Sequence, residues 1–179
     1  GSEMCIRDRI NGIQMGYDLI GEEGTPIVLI HGFGLNRRIW EEMVEKYLKP
    51  YRVILPDVRG HGGSDAPPGA YPMSLLAEDI KDLLDFLGIE KAAVCGHSMG
   101  GYITLAFAER YPERLAGLGL ITSRAKADSA EQRADRYQMV EKVMKNGAIV
   151  LAESLGPKLT TDEVVFNESY KICLLYTSD

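Results

Sequence analysis

Four strand-length apolar runs recur along this chain, and each is cut off by glycine or a polar turn. They are Pro26–His31 (PIVLIH), Tyr51–Pro56 (YRVILP), Lys91–His97 (KAAVCGH) and Leu115–Ile121 (LAGLGLI). None alternates polar with apolar, so each strand must be covered on both faces. The covering is found between them. IWEEMVEKYLK reads as an amphipathic helix after the first run. Ser74 then stands as the N-cap of a helix in which Leu76, Ile80, Leu83, Leu84 and Leu87 keep a helical period, with Gly88 as its stop. Ser98 opens a further helix that ends near Tyr111-Pro112. Strands alternating with helices define an α/β fold, a mainly parallel sheet flanked by helices. In such sheets ligands bind beyond the carboxyl ends of the strands.

The flanking segments read differently. IQMGYDLIGEEGTP, before the first run, is a strand or hairpin that ends in a glycine-rich turn. After Thr122 the alternation stops. Asp128 and Ser129 are each followed three residues later by Glu131 and Gln132, which signals helix capping. Tyr137, Val140 and Met144 form one apolar stripe, and Gly147 is the stop. AIVLAESLG and TDEVVFNESY also read as helical, and no further strand or internal repeat is evident. The opening MCIRDR and closing CLLYTSD resemble translated adapter read-through around gene fragments. Residues 1–9 and 172–179 are therefore expected to be non-native tails.

Composition narrows the functional classes. With 179 residues the chain is one domain, or a piece of a larger one. A net charge of -6 gives no basic footprint for nucleic acid, so no nucleic-acid partner is expected. No apolar run approaches the roughly 20 residues that span a bilayer, so no membrane role is expected either. GSEMCIRDRI has no apolar core of the leader-peptide kind. The three cysteines, Cys5, Cys95 and Cys173, cannot all pair. Cys95 lies in an expected buried strand, where a free thiol is ordinary, which favours a reduced, cytoplasmic setting.

Chemistry concentrates at the strand ends. Gly96-His97-Ser98-Met99-Gly100 fits G-x-S-x-G between a strand and a helix, the context that pattern requires. A strand that turns directly into a helix presents the serine hydroxyl outward, and glycines two residues either side let helix and strand approach. HGFG follows the first run and DVRGHGGSD the second. Together and in this order, HGFG, DVRGHGGSD and GHSMGG resemble the α/β-hydrolase family, especially its small esterases, lactonases and related C–C bond hydrolases. The resemblance extends over about Ile13 to Tyr170.

The resemblance implies a set of roles. Ser98 is the nucleophile, and the backbone N–H groups of Met99 and Phe33 form the oxyanion hole. One such donor is worth about 3–4 kcal/mol in the transition state. His31 orients the oxyanion loop, and His31, Gly32, His97, Trp40 and Tyr137 belong to the pocket region. Trp40, Phe33, Tyr137, Met139 and Met144 read equally well as ordinary packing residues. His61 sits among turn residues, and Asp57 and Arg59 tie its loop to its neighbours. Residues 10–123 are then the N-terminal part of the hydrolase core, and 124–171 the start of a helical cap or lid. No cofactor or metal is implied.

One requirement of the family is not met. A serine hydroxyl needs a base, and the family order is serine, acid, then histidine. The only histidines are His31, His61 and His97, all before Ser98. His97 leaves the same sharp turn in another direction and cannot substitute. Asp128 is a candidate acid but reads better as a helix cap. The expected reading is a serine hydrolase of small esters or lactones through an acyl-serine intermediate, inactive in this chain. A non-catalytic small-molecule-binding module of the same fold is the alternative. Haloalkane dehalogenation wants a carboxylate where Ser98 stands, whereas perhydrolase chemistry would use the same triad. LAGLGLI, left as an apolar sheet edge, is expected to support homodimerisation or aggregation.

Overall fold

Asn11-Gly12, both at positive φ (44° and 81°), make a tight turn between β1 (Met4–Ile10) and β2 (Ile13–Ile20). These strands pair antiparallel from Met4↔Leu19 to Ile10↔Ile13. In the computed structural model, residues 4–154 are described, apart from positions 148 and 152. Four more strands follow: β3 (Glu23–Ile30), β4 (Tyr51–Pro56), β5 (Ala92–His97) and β6 (Leu115–Ile121). The sheet order is β1-β2-β4-β3-β5-β6. β4, β3, β5 and β6 run parallel, and β2 meets β4 antiparallel. The four apolar runs are thus the parallel strands, as expected. The alternating segment Ile6 to Ile10, with Arg7 and Arg9 exposed and Ile10 buried, adds an edge strand within the stretch expected to be a tail.

Both faces of the sheet are covered except at β6, where Leu118 and Leu120 are exposed, so the expected burial on both faces fails for that edge strand. On one face, Val28, Ile30, Ile54 and Val94 pack with Leu76, Ile80, Leu83 and Leu84 of α2 (Met73–Phe86) and Ile103 and Phe107 of α3 (Met99–Arg110). On the other, Leu29, Val53 and Leu55 pack with Trp40 and Val44. Each such fully buried side chain stabilises by about 1.5–3 kcal/mol. The expected single helix after the first strand is a composite. A 3₁₀ turn (Arg37–Trp40) leads into α1 (Glu41–Met43) and then a π-helical turn (Val44–Leu48).

Helix ends refine the sequence reading. α2 begins one residue before Ser74, because the extended Pro72 places its own carbonyl to accept the N–H groups of Leu75 (2.9 Å) and Leu76 (3.2 Å). Ser74 is therefore an exposed residue of the first turn, not the N-cap. Gly88, at φ 65°, ends the helix as expected. The chain divides into two units, residues 1–125 and 126–179. In the second, α4 (Ala130–Asn146) is capped by a reciprocal pair: Ser129 Oγ accepts the Gln132 N–H at 3.2 Å, and Gln132 Oε1 accepts the Ser129 N–H at 3.0 Å. The N-cap is thus Ser129, and the Asp128 carboxylate takes the Arg136 guanidinium at 2.5 and 3.3 Å. The helices expected over 148–156 and 161–170, and the closing tail, lie wholly or largely outside the described residues. Among the described residues no helix is long and apolar enough to cross a membrane.

Candidate active site

Ser98 sits between the last residue of β5 and the first of α3, at φ 51° and ψ −111°. A non-glycine residue held there stores about 1–3 kcal/mol of backbone strain. The neighbouring glycines show why the turn is so sharp. A Cβ on Gly96 would lie 2.0 Å from the Gly100 carbonyl oxygen, and one on Gly100 would lie 2.4 Å from the Ile30 oxygen. Helix, strand and the adjoining strand β3 therefore touch through bare backbone. Ser98 donates its N–H to the Ile121 oxygen at 3.0 Å, which locks the turn to the end of β6. Met99 opens α3, so its N–H has no helical carbonyl to pair with.

The loop after β3 passes directly against this turn. A Cβ on Gly32 would lie 2.8 Å from His97 Nδ1 and 3.4 Å from Ser98 Cβ. His31 fixes the loop from below. It is fully buried; its Nε2 accepts the Val58 N–H at 2.9 Å, so Nδ1 carries the proton and donates to the Gly32 oxygen at 2.8 Å. Burial pushes its pKa down to about 4, which keeps the ring neutral. Phe33 is about half exposed (49%), and its ring meets His61 edge-on at 5.7 Å. His61 in turn packs 5.2 Å from His31 and is lowered by burial.

Two buried ion pairs hold the loop after β4. Asp57 accepts the N–H groups of Arg37 (2.8 Å) and Gly63 (2.7 Å) and pairs with the Arg37 guanidinium, whose Nε also reaches Asp18 at 2.8 Å. Arg59 forks onto Asp79 of α2 at 2.8 and 2.6 Å and donates to the Asn11 carbonyl at 3.1 Å. The carboxylate and guanidinium named from sequence as loop ties have these partners. With both charges paired, the loop that carries His61 is tied to Arg37, to α2 and to the β1–β2 turn.

His31, Gly32, Phe33, His97, Ser98 and Met99 are thus brought together at the carboxyl ends of β3 and β5. The His97 ring lies between Gly32 and Trp40. It sits edge-on to Trp40 at 6.4 Å, and burial lowers its pKa. Trp40 is 5% exposed and packs in the core below, with Leu29 and Val53. The Trp40 Nε1 and His97 Nδ1 atoms are both buried without a hydrogen-bond partner. Tyr137 lies in the other unit, on α4, with its side chain exposed. Sequence reasoning passed over Ser123, whose hydroxyl donates to the Ser98 carbonyl at 2.8 Å.

A mainly parallel sheet with a strained serine at a strand–helix junction, faced by a glycine loop, defines a hydrolase-type α/β protein. The chain belongs to the alpha/beta hydrolase fold family, whose model matches residues 25–150. It is 37% identical over 124 residues to mouse (Mus musculus) epoxide hydrolase 4, covering 68% of this chain and 34% of that protein. It is 33% identical over 129 residues to 3-oxoadipate enol-lactonase 2 of Acinetobacter baylyi, covering 72% and 48%. Among solved structures it matches a thermophilic esterase from Thermogutta terrifontis at TM-score 0.86 and 33% identity, over 100% of this chain and 67% of that one. The enol-lactonase from Burkholderia xenovorans follows at TM-score 0.85 and 30% identity, over 97% and 68%. The chain spans about a third of the length of several curated relatives that it matches. The activities these relatives are named for differ, so together they define a family and not a substrate.

Proposed function

We propose that this chain carries the nucleophile and oxyanion hole of a serine hydrolase for small carboxylic esters or lactones. The observation that carries the reading is the backbone of Ser98, strained at φ 51° on the junction of β5 and α3. In the reaction a base takes the Oγ proton, and Oγ bonds to the substrate carbonyl carbon. The carbonyl oxygen becomes an oxyanion held by the N–H groups of Met99 and Phe33. Collapse expels the alcohol, which receives the proton from the base, and water then hydrolyses the acyl-Ser98 ester. The esterase and enol-lactonase among the similar structures support this substrate class.

The base is not among these residues. No histidine follows Ser98 in the 179-residue sequence. His31 is committed to Val58 and Gly32, His61 faces the Arg59 carbonyl at 3.2 Å, and His97 turns to Trp40. The chain spans about a third of the length of several curated relatives, and the family order serine, acid, histidine assigns the last two residues to the part it does not cover. The test is to recover the source reading frame, express the longer protein and assay short-chain esters and lactones. Turnover that Ser98→Ala abolishes is expected there. The 179-residue chain should retain at most the roughly 10³–10⁴-fold assistance of an oxyanion hole and binding alone. Ordinary esterase turnover by the 179-residue chain, or an active longer protein indifferent to Ser98→Ala, overturns the proposal. A natural stop near Lys171 in a chain that binds small esters without turning them over would instead favour the binding module.

A further inference from the structure

The last glycine of GHSMGG, Gly101, is in excess of what G-x-S-x-G needs, and the structure gives it a partner. A Cβ on Gly101 would lie 2.2 Å from Ser123 Oγ and 2.4 Å from Ser123 Cβ. Through that gap the Ser123 hydroxyl passes the first turn of α3 and donates to the Ser98 carbonyl at 2.8 Å. The same carbonyl accepts the Gly101 N–H at 3.0 Å. Ser123 reaches this position because Thr122 turns the chain after β6 at φ 47°, one of three non-glycine residues at positive φ among the described residues, with Asn11 and Ser98.

The consequence follows from the geometry of one peptide unit. The Ser98 C=O and the Met99 N–H share a plane, and no peptide bond among the described residues is cis. In a trans peptide the two groups point in opposite directions. Drawing the Ser98 carbonyl toward β6 therefore turns the Met99 N–H the other way, out toward the substrate side. Two donors on the carbonyl also polarise the unit, which strengthens its N–H as a donor.

We infer that Ser123 is a positioning residue for the oxyanion hole, acting through the Ser98–Met99 peptide, with Gly101 as the clearance that admits it. The inference rests on the reading of Met99 as an oxyanion donor. A merely structural Ser123 would affect stability and leave the donor strength of Met99 unchanged.

The test uses the full 179-residue chain and needs no base. Ser98→Cys is made in a background of Cys5→Ser, Cys95→Ala and Cys173→Ser. The introduced thiol is acetylated by S-phenyl thioacetate with an isotope-labelled carbonyl, with thiophenol as the leaving group. The infrared band of that carbonyl reports hydrogen bonding to its oxygen. With Ser123 in place the band should lie below its position in the denatured chain. Ser123→Ala should move it most of the way back and slow hydroxide hydrolysis of the thioester about three- to tenfold, the factor one neutral hydrogen bond carries. Ser123→Thr, which keeps the hydroxyl, should restore both. Gly101→Ala, which crowds the hydroxyl out, should reproduce the loss. If circular dichroism shows Ser123→Ala folded and the band stays low, the inference fails while the oxyanion hole stands. If the band is not lowered even with Ser123 present, the oxyanion reading itself fails, and the inference with it.

Discussion

At His31 two backbone groups from different loops converge on one neutral ring, and burial holds its pKa at about 4 against 6.5 for a free imidazole. Between those values the unfolded chain binds the extra proton and the folded chain does not. Stability is therefore full above about pH 6.5 and falls as pH drops toward 4, by up to about 3 kcal/mol from this ring. His61 and His97 shift in the same direction and add to the slope. His31→Ala should flatten the slope and lower stability at neutral pH by about 2–4 kcal/mol, through the cavity and the orphaned Val58 N–H and Gly32 carbonyl. Urea unfolding of both proteins at pH 7 and 4.5 measures this, and equal slopes would remove His31 as the titrating group. Ser98, its glycines and His31 were legible in the sequence because a sharp turn makes local demands on residue type. Ser123 was not, since its bond to Ser98 joins residues 25 apart and depends on how β6 ends. Its one trace was the surplus Gly101.

For the elements, the decisive contacts are between backbones. Gly96→Ala would drive a methyl to 2.0 Å from the Gly100 oxygen, where neither β5 nor α3 can yield without moving the other. Gly117→Ala, on β6, would meet only the Ala93 Cβ at 3.6 Å, an ordinary contact. Gly96→Ala should therefore lower stability by about 3 kcal/mol or more. Gly117→Ala should be neutral or raise it by about 0.5–1 kcal/mol, because alanine has less chain entropy to lose. Thermal melts of the two variants decide this, and similar losses would show that close packing at the Gly96–Gly100 turn is not what limits the fold. β3, β4 and β5 were readable because burial on two faces leaves a continuous apolar run, whereas β6 carries such a run at the edge with alternate residues exposed. β1 was missed although Asn11-Gly12 is a strong hairpin signal, since its sequence resembled a tail. The composite helix after β3 was read as uniform because Trp40, Val44 and Leu48 keep a spacing of four that does not report local winding.

At the scale of the whole molecule, the two edges of the sheet differ. β1 exposes Arg7 and Arg9, charges of the kind that discourage further pairing. β6 carries neither a charge nor a proline, and no described strand lies beyond it. Leu118 and Leu120 are 46% and 38% exposed, on the sheet face that also carries Val94. The strand is close to palindromic about Leu118. In an antiparallel pair of two copies, Gly117 would face Gly119, Ala116 would face Leu120, and Leu115 would face Ile121. Such a pair joins the exposed leucines of both copies into one apolar strip and satisfies the open ladder of each. We therefore expect the 179-residue chain to self-associate through β6, as dimers that grow with concentration. Leu118→Lys should shift the equilibrium toward monomer, because two copies would place like charges opposite each other at the centre of the pair. The monomer's own fold should be spared, since the leucine is already half exposed. Light scattering over a concentration series measures both proteins. A wild-type chain that stays monomeric at high concentration, or a dimer indifferent to Leu118→Lys, would place the contact elsewhere or nowhere.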